Sequence, residues 1–163
     1  MAAQPNLHAV RFDLEVTIRR PVAEVFDYVS DVTNLPEWQE SAVEAEWIEP
    51  GSRFREKRSF LGRTATVELE VTALEPNRRF DVKALSGPVR FSVRHSFEKT
   101  DGATLVRLSA EAKVGGALRF AASMAKGQAE RQFRGDLERL RSVLEERRDE
   151  ESPSDRPPRL AGE

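Results

Sequence analysis

Apart from one short interruption after the first strand, the apolar residues of this 163-residue chain change period once, and late. From Val10 to Ala112 they recur mostly at every second residue, the spacing that puts one face of a strand against a core. From Ala117 to about Arg148 they step by three or four, through Leu118, Ala122, Ala125, Ala129, Phe133, Leu137, Leu140 and Leu144. That spacing predicts one long amphipathic helix with Arg and Glu on its back. A chain that lays out its strands first and its only long helix last builds a sheet and closes it with that helix, an α+β architecture.

One segment interrupts the strands. Val10, Phe12, Leu14, Val16 and Ile18 alternate with Arg11, Asp13, Glu15 and Thr17, as in a strand with one buried face. Next comes "RPVAEVFDYVSDVTNLPEWQE", residues 20–40, which reads as two short helices. Pro21 sits where a helix favours its first residue, and Val22, Val25, Phe26 and Val29 recur at helical spacing. The second helix lies near Leu35 to Glu40 and carries Pro36 and Trp38. Alternation then returns in Val43, Ala45 and Trp47, and in the stretches 53–61, 64–74, 80–85, 89–97 and 104–112. The turns between them ("EPGS", Gly62-Arg63, "EPNRR", "SGP", "KTDG") are short, which predicts an antiparallel meander of about seven strands in all. Gly127 and Gly135 lie inside the long helix at about 1 kcal/mol each relative to Ala, which predicts a bend or a close approach to the sheet.

The interruption has a geometric reason. A single helix, about 10 Å wide, cannot cover a sheet of that breadth. The sheet must curl around the helix, and one end of the curl must be plugged. Two short helices after the first strand supply the plug. A curled sheet gripping a helix leaves a hollow between them, a natural place for a small molecule.

Bulk properties narrow the partners. The 26 basic and 28 acidic residues leave a net charge of -2, so no basic field points to nucleic acid or anionic lipid. With no cysteine and two histidines, disulfides, a His/Cys zinc site and a Rieske-type centre are not available. There is no GxGxxG or Walker loop and no HExxH, so no cofactor is expected. The stretch "MAAQPNLHAV" has no basic region followed by an apolar run, and no apolar stretch approaches the roughly 20 residues of a membrane span. The default expectation is a cytoplasmic, bacterial-type protein without a transmembrane segment or nucleic-acid partner. Its oligomeric state is left open.

The inward face of the strands supplies the candidate ligand-binding residues: Phe54, Val67, Leu69, Phe80, Val82, Phe91 and Val93. His95 shares the face of Val93 and Phe97; it is either an acid/base or hydrogen-bonding group for a ligand, or a histidine satisfied by a neighbour or water. Glu56 and Arg58 share a face with Phe54 and Phe60; they either orient a ligand's polar end or sit solvated at a sheet edge. Trp38 and Phe26 either stack on a ligand or pack the plug. Met124 and Gln128 lie near the apolar stripe of the long helix, where they either line the hollow or serve as gap-filler and surface residue. His95, Glu56 and Arg58 are also the catalytic candidates, and no metal ligands are expected.

Several stretches together resemble a known family. "RPVAEVFDYVSDVTNLPEW", "GSRFREKRSFLGR", "VTALEPNRRF", "HSFEKTDGATLVRL" and "GDLERLRSVLEER" are similar to the START-like, or SRPBCC, superfamily of polyketide cyclase/dehydrase-type proteins, over roughly residues 9 to 148. The resemblance implies a helix-grip fold. Its extent sets a ligand-binding domain at 9–148 after an N-terminal extension (1–8), and the polar, Pro-rich composition of 149–163 predicts a disordered tail. Members include lipid and sterol carriers, coenzyme-Q-binding proteins and aromatase/cyclases. The implied function is binding or transport of a hydrophobic small molecule (lipid, isoprenoid or polyketide-like). The alternative is a cyclase/dehydratase-type enzyme using cavity polar residues, and an interaction module ranks third. No catalytic motif is common to the superfamily, so the fold does not decide among them.

Overall fold

Seven strands pair in the order β1-β7-β6-β5-β4-β3-β2 within one antiparallel sheet. They are β1 (His8–Ile18), β2 (Ala42–Glu49), β3 (Arg53–Phe60), β4 (Arg63–Glu75), β5 (Arg79–Ala84), β6 (Arg90–Thr100) and β7 (Ala103–Val114). The helices are α1 (Val22–Ser30), α2 (Leu35–Trp38) and α3 (Ala122–Glu151), with a 3-10 turn at Val32–Asn34 joining the first two. The computed structural model describes residues 8–60, 62–87, 89–114 and 122–151. Most of the N-terminal extension, the expected helix start at Ala117 and the tail from residue 152 lie outside the described residues. The helix itself continues to Glu151, beyond the boundary expected at Arg148.

From β2 to β7 every strand pairs with its successor, which is the predicted meander; β1 closes against β7 at the far edge. The "KTDG" hairpin has Asp101 at φ 44° and Gly102 at φ 79°, two left-handed residues in a row as a tight hairpin requires. Cross-strand register sorts side chains into rows. Leu14, Leu108, His95 and Phe80 form one row on the inner face; Asp13, Ser109, Arg94 and Asp81 form the adjacent row on the outer face.

Register shifts in β2 and β4, the former also between Trp47 and Glu49, break the alternation expected from sequence. Register shifts between Ala42 and Glu44, so Ala42 is buried while Val43 is 45% exposed. The shift in β4, between Val71 and Ala73, sets Ala73 opposite Asp81, on the outer row. An extra residue in one strand leaves the pattern out of phase beyond it, which sequence alternation alone does not reveal.

The plug forms as the residues dictate. Pro21 is extended (φ -59°, ψ 146°) and serves as the N-cap of α1 rather than its first helical residue. Asp31 caps the following 3-10 turn, its Oδ1 accepting from the Thr33 backbone N–H at 3.1 Å and from the Thr33 hydroxyl at 2.7 Å. Val25, Phe26, Tyr28, Val29, Leu35 and Trp38 are buried, and Phe26 meets Phe97 of β6 edge-on at 5.3 Å.

The two halves of α3 behave differently. Leu137, Leu140 and Leu144 are buried, and side chains at both ends of this half tie it down. Asp136 accepts from the Glu40 backbone N–H at 3.1 Å, Glu145 accepts from the Arg19 backbone N–H at 3.0 Å, and Arg147 lies 4.8 Å over the Tyr28 ring while pairing with Glu37. From Met124 to Gly135, by contrast, no residue is buried. Ala129 and Phe133 are only half covered, with Phe133 edge-on to Phe12 of β1 at 5.4 Å. A Cβ at Gly127 or Gly135 would meet nothing within 4 Å, so neither glycine marks a close approach to the sheet.

Candidate functional site

The plug, α3 and the inner face of β3 to β6 converge on one interior pocket. Its apolar wall comes from Val29, Val32, Leu35, Trp38, Phe54, Leu69, Phe80, Val82, Phe91, Val93 and Phe133; its polar groups are Gln39, Glu56, Arg58 and His95. The enclosed space is about 40 Å³. A hollow for a small molecule was the expectation; among the described residues, the aromatic side chains of five elements meet in the middle of this pocket and leave room for a water-sized group.

Four residues named from sequence stand apart from this pocket. Phe26 is committed to Phe97. Val67, in the first half of β4, packs beneath the β5–β6 turn, where a Cβ on Gly87 would come within 3.4 Å of its methyl group. Met124 is 76% exposed and Gln128 is exposed, because each sits one residue, about 100°, off the Ala129–Phe133 stripe that faces the sheet.

Glu56, although on a strand next to edge strand β2, is 1% exposed. Its carboxylate takes both arms of Arg58, from Nε at 2.6 Å and from Nη2 at 3.1 Å. Arg58 also donates to Ser41 Oγ at 2.6 Å and to Gln39 Oε1 at 2.5 Å. Ser41 and Gln39 belong to the turn after α2, so the ion pair ties the plug to β3. Such a buried pair is held in place by its additional hydrogen bonds.

His95 is buried and stacks on Phe80, with ring centroids 5.7 Å apart. Its Nδ1 lies 2.9 Å from the Phe80 carbonyl oxygen. A carbonyl only accepts, so Nδ1 carries the proton and Nε2 presents a lone pair. Burial lowers the His95 pKa below the ordinary range and outweighs the opposing effects of the Phe80 carbonyl and Asp81. The ring is therefore a neutral imidazole at neutral pH, with one basic nitrogen beside the pocket.

Asp136 completes the polar surroundings. Burial raises its pKa, against the Glu40 backbone hydrogen bond and the nearby Arg58 and Arg139. Sequence reading passed over it and over Gln39 and Phe133. A signal was present for Asp136: it falls three residues after Phe133 and four before Leu140, on the apolar stripe.

A larger depression, about 650 Å³, lies on the outer face of β1, β7, β6 and β5. Its charged side chains largely engage one another, as in Arg79–Asp81 and Arg107–Glu15. It lacks the apolar wall of the interior pocket. No group of acidic or histidine side chains suited to a metal ion occurs among the described residues, and none of their helices is long and apolar enough to cross a membrane.

Residues 9–145 match the family described as polyketide cyclase / dehydrase and lipid transport. No match was found among curated proteins. Among solved structures, the chain resembles the Zhui aromatase/cyclase of Streptomyces sp. R1128 with a TM-score of 0.75 at 20% identity, covering 86% of this chain and 96% of that one. A START superfamily protein of Mycobacterium smegmatis gives 0.70 at 17%, covering 83% and 97%. A protein of Deinococcus radiodurans gives 0.63 at 24%, covering 85% and 98%. At these identities the likeness is one of fold.

Proposed function

This chain belongs to the polyketide cyclase/dehydrase and lipid-transport family, and we propose that it binds a hydrophobic small molecule between the sheet and the first half of α3. The observation that carries the reading is the incomplete burial from Met124 to Gly135 directly beside a pocket whose wall is aromatic and aliphatic. Loading moves this half of α3 away from β1, because about 40 Å³ holds no lipid or polyketide. The polar end of the guest then meets Gln39, Arg58 and His95. The likeness to an aromatase/cyclase and to a START protein supports the same reading at the level of fold.

Native mass spectrometry of freshly purified protein tests this. A co-purified adduct, or displacement of an apolar fluorescent probe by lipid or aromatic compounds, is the expected result. A protein that is always empty and takes up no apolar probe rules it out.

A second reading, a cyclase/dehydratase-type enzyme, is favoured by the free lone pair on His95 Nε2, which suits a general base. Turnover of a poly-β-keto thioester that disappears in His95→Gln while apolar probes still bind would support it. Unchanged turnover in that variant would remove it.

A further inference from the structure

Two ring nitrogens at the pocket are left over. His95 Nε2 and Trp38 Nε1 are both out of solvent, and neither has a hydrogen-bond partner among the described residues. Both side chains line the same hollow. Polar groups buried in this way are normally satisfied, by protein, water or a ligand. Their chemistry is complementary. The indole N–H only donates; His95 Nε2, with the proton fixed on Nδ1 by the Phe80 carbonyl, only accepts. The space between plug and sheet, about 40 Å³, suits one oxygen-bearing group.

We infer that the deep end of this pocket is a hydroxyl site: its preferred occupant is an apolar molecule bearing an alcohol or phenol, whose O–H donates to His95 Nε2 and whose oxygen accepts from Trp38 Nε1–H. A hydroxyl satisfies both nitrogens with one atom. A ketone accepts from Trp38 and leaves His95 without a donor. A carboxylate also offers no proton to His95, and it enters beside Glu56, whose two oxygens already occupy Arg58 Nε and Nη2. The pocket therefore selects alcohols and phenols over acids of the same shape, which sets fatty acids aside within the broad class of lipids. This inference rests on the proposed ligand-binding function and narrows it.

Calorimetric titration with naphthalene, 1-naphthol and 1-naphthoate separates the two claims. The expected order is naphthol about tenfold tighter than naphthalene, the worth of one to two satisfied buried hydrogen bonds, with naphthoate weakest. His95→Leu and Trp38→Phe should each shrink the ratio of naphthol to naphthalene affinity toward one, whatever either change does to the affinity for naphthalene. Nitrogen-15 NMR of the free protein should show His95 protonated on Nδ1, and the Nε2 resonance should move on adding naphthol. If none of the three compounds binds, the ligand-binding function itself fails. If all three bind alike, or naphthoate binds best, the hydroxyl site is wrong while ligand binding stands. Protonation on Nε2 in the free protein also overturns it.

Discussion

Replacing Arg58 by Met strands a carboxylate, and the cost can be bounded. Glu56 is almost wholly out of water and loses both partners, at 2.6 and 3.1 Å. Removing one member of a buried ion pair typically costs about 3–5 kcal/mol. The stranded group has a way out, which is to take up a proton. An ordinary glutamic side chain titrates near pH ~4.3, so holding a proton at pH 7 costs about 3.7 kcal/mol, and at pH 5 about 1 kcal/mol. The lost Ser41 and Gln39 hydrogen bonds add about 1–2 kcal/mol in total, Gln39 being buried and Ser41 half-buried. The Arg58→Met penalty should therefore be near ~5 kcal/mol at pH 7 and shrink by up to about 2.7 kcal/mol by pH 5. The sign follows from linkage: a carboxyl that is easier to protonate folded than unfolded favours the fold at low pH and loses that contribution as pH rises. The opposite variant, Glu56→Leu, leaves Arg58 with Ser41, Gln39 and partial access to water, and should cost only about 1–2 kcal/mol. The double variant should cost less than the sum of the singles. Urea denaturation at pH 5, 6 and 7, with the wild type subtracted at each pH, measures all three. A larger penalty for Glu56→Leu than for Arg58→Met, or a penalty for Arg58→Met that does not change with pH, would refute the reasoning.

Burial raises the Asp136 pKa, so the stability its protonated form contributes is lost as pH rises from the ordinary carboxyl range through the higher folded value. Asp136→Asn keeps an acceptor for the Glu40 N–H, and its melting temperature relative to wild type should become more favourable from pH 4 to pH 8. A flat or reversed difference in thermal melts would count against this. Gly135→Ala, whose Cβ meets open space, should stabilise by about 1 kcal/mol in urea denaturation, and Gly127→Ala similarly. Leu140→Ala removes a side chain with 0% exposure from the pinned half of α3 and should cost about 2–5 kcal/mol; a loss below 1 kcal/mol would mean that this half is not the clasp it is taken to be.

Much of the architecture was legible because two periods carry it. Alternation alone placed His95 with Val93 and Phe97 on one face, and placed Glu56 and Arg58 beside Phe54. The bulges at Val43 and Thr72 were not legible, because an extra residue is defined by its partner strand and not by its own neighbours. Nor was the lift of α3 between Met124 and Gly135, since its apolar stripe continues unbroken in sequence from Ala125 to Leu144. Which part of a stripe is covered depends on where the sheet curls. The filling of the pocket was hidden for a similar reason: Phe54, Phe80, Phe91, Phe133 and Trp38 come from distant parts of the chain, and their packing follows from the curl.

If the proposed ligand covers the half-wet stretch of α3, the chain's heat resistance becomes a shared property. A molecule that covers Ala129 and Phe133 and binds only the folded form adds to stability in proportion to the logarithm of its concentration, about 2.7 kcal/mol at a hundred times its Kd. Two preparations of the same polypeptide, one empty and one carrying a passenger, would then melt at different temperatures with no change in covalent structure. The empty one, with an oily seam open to water, would be the one prone to self-association.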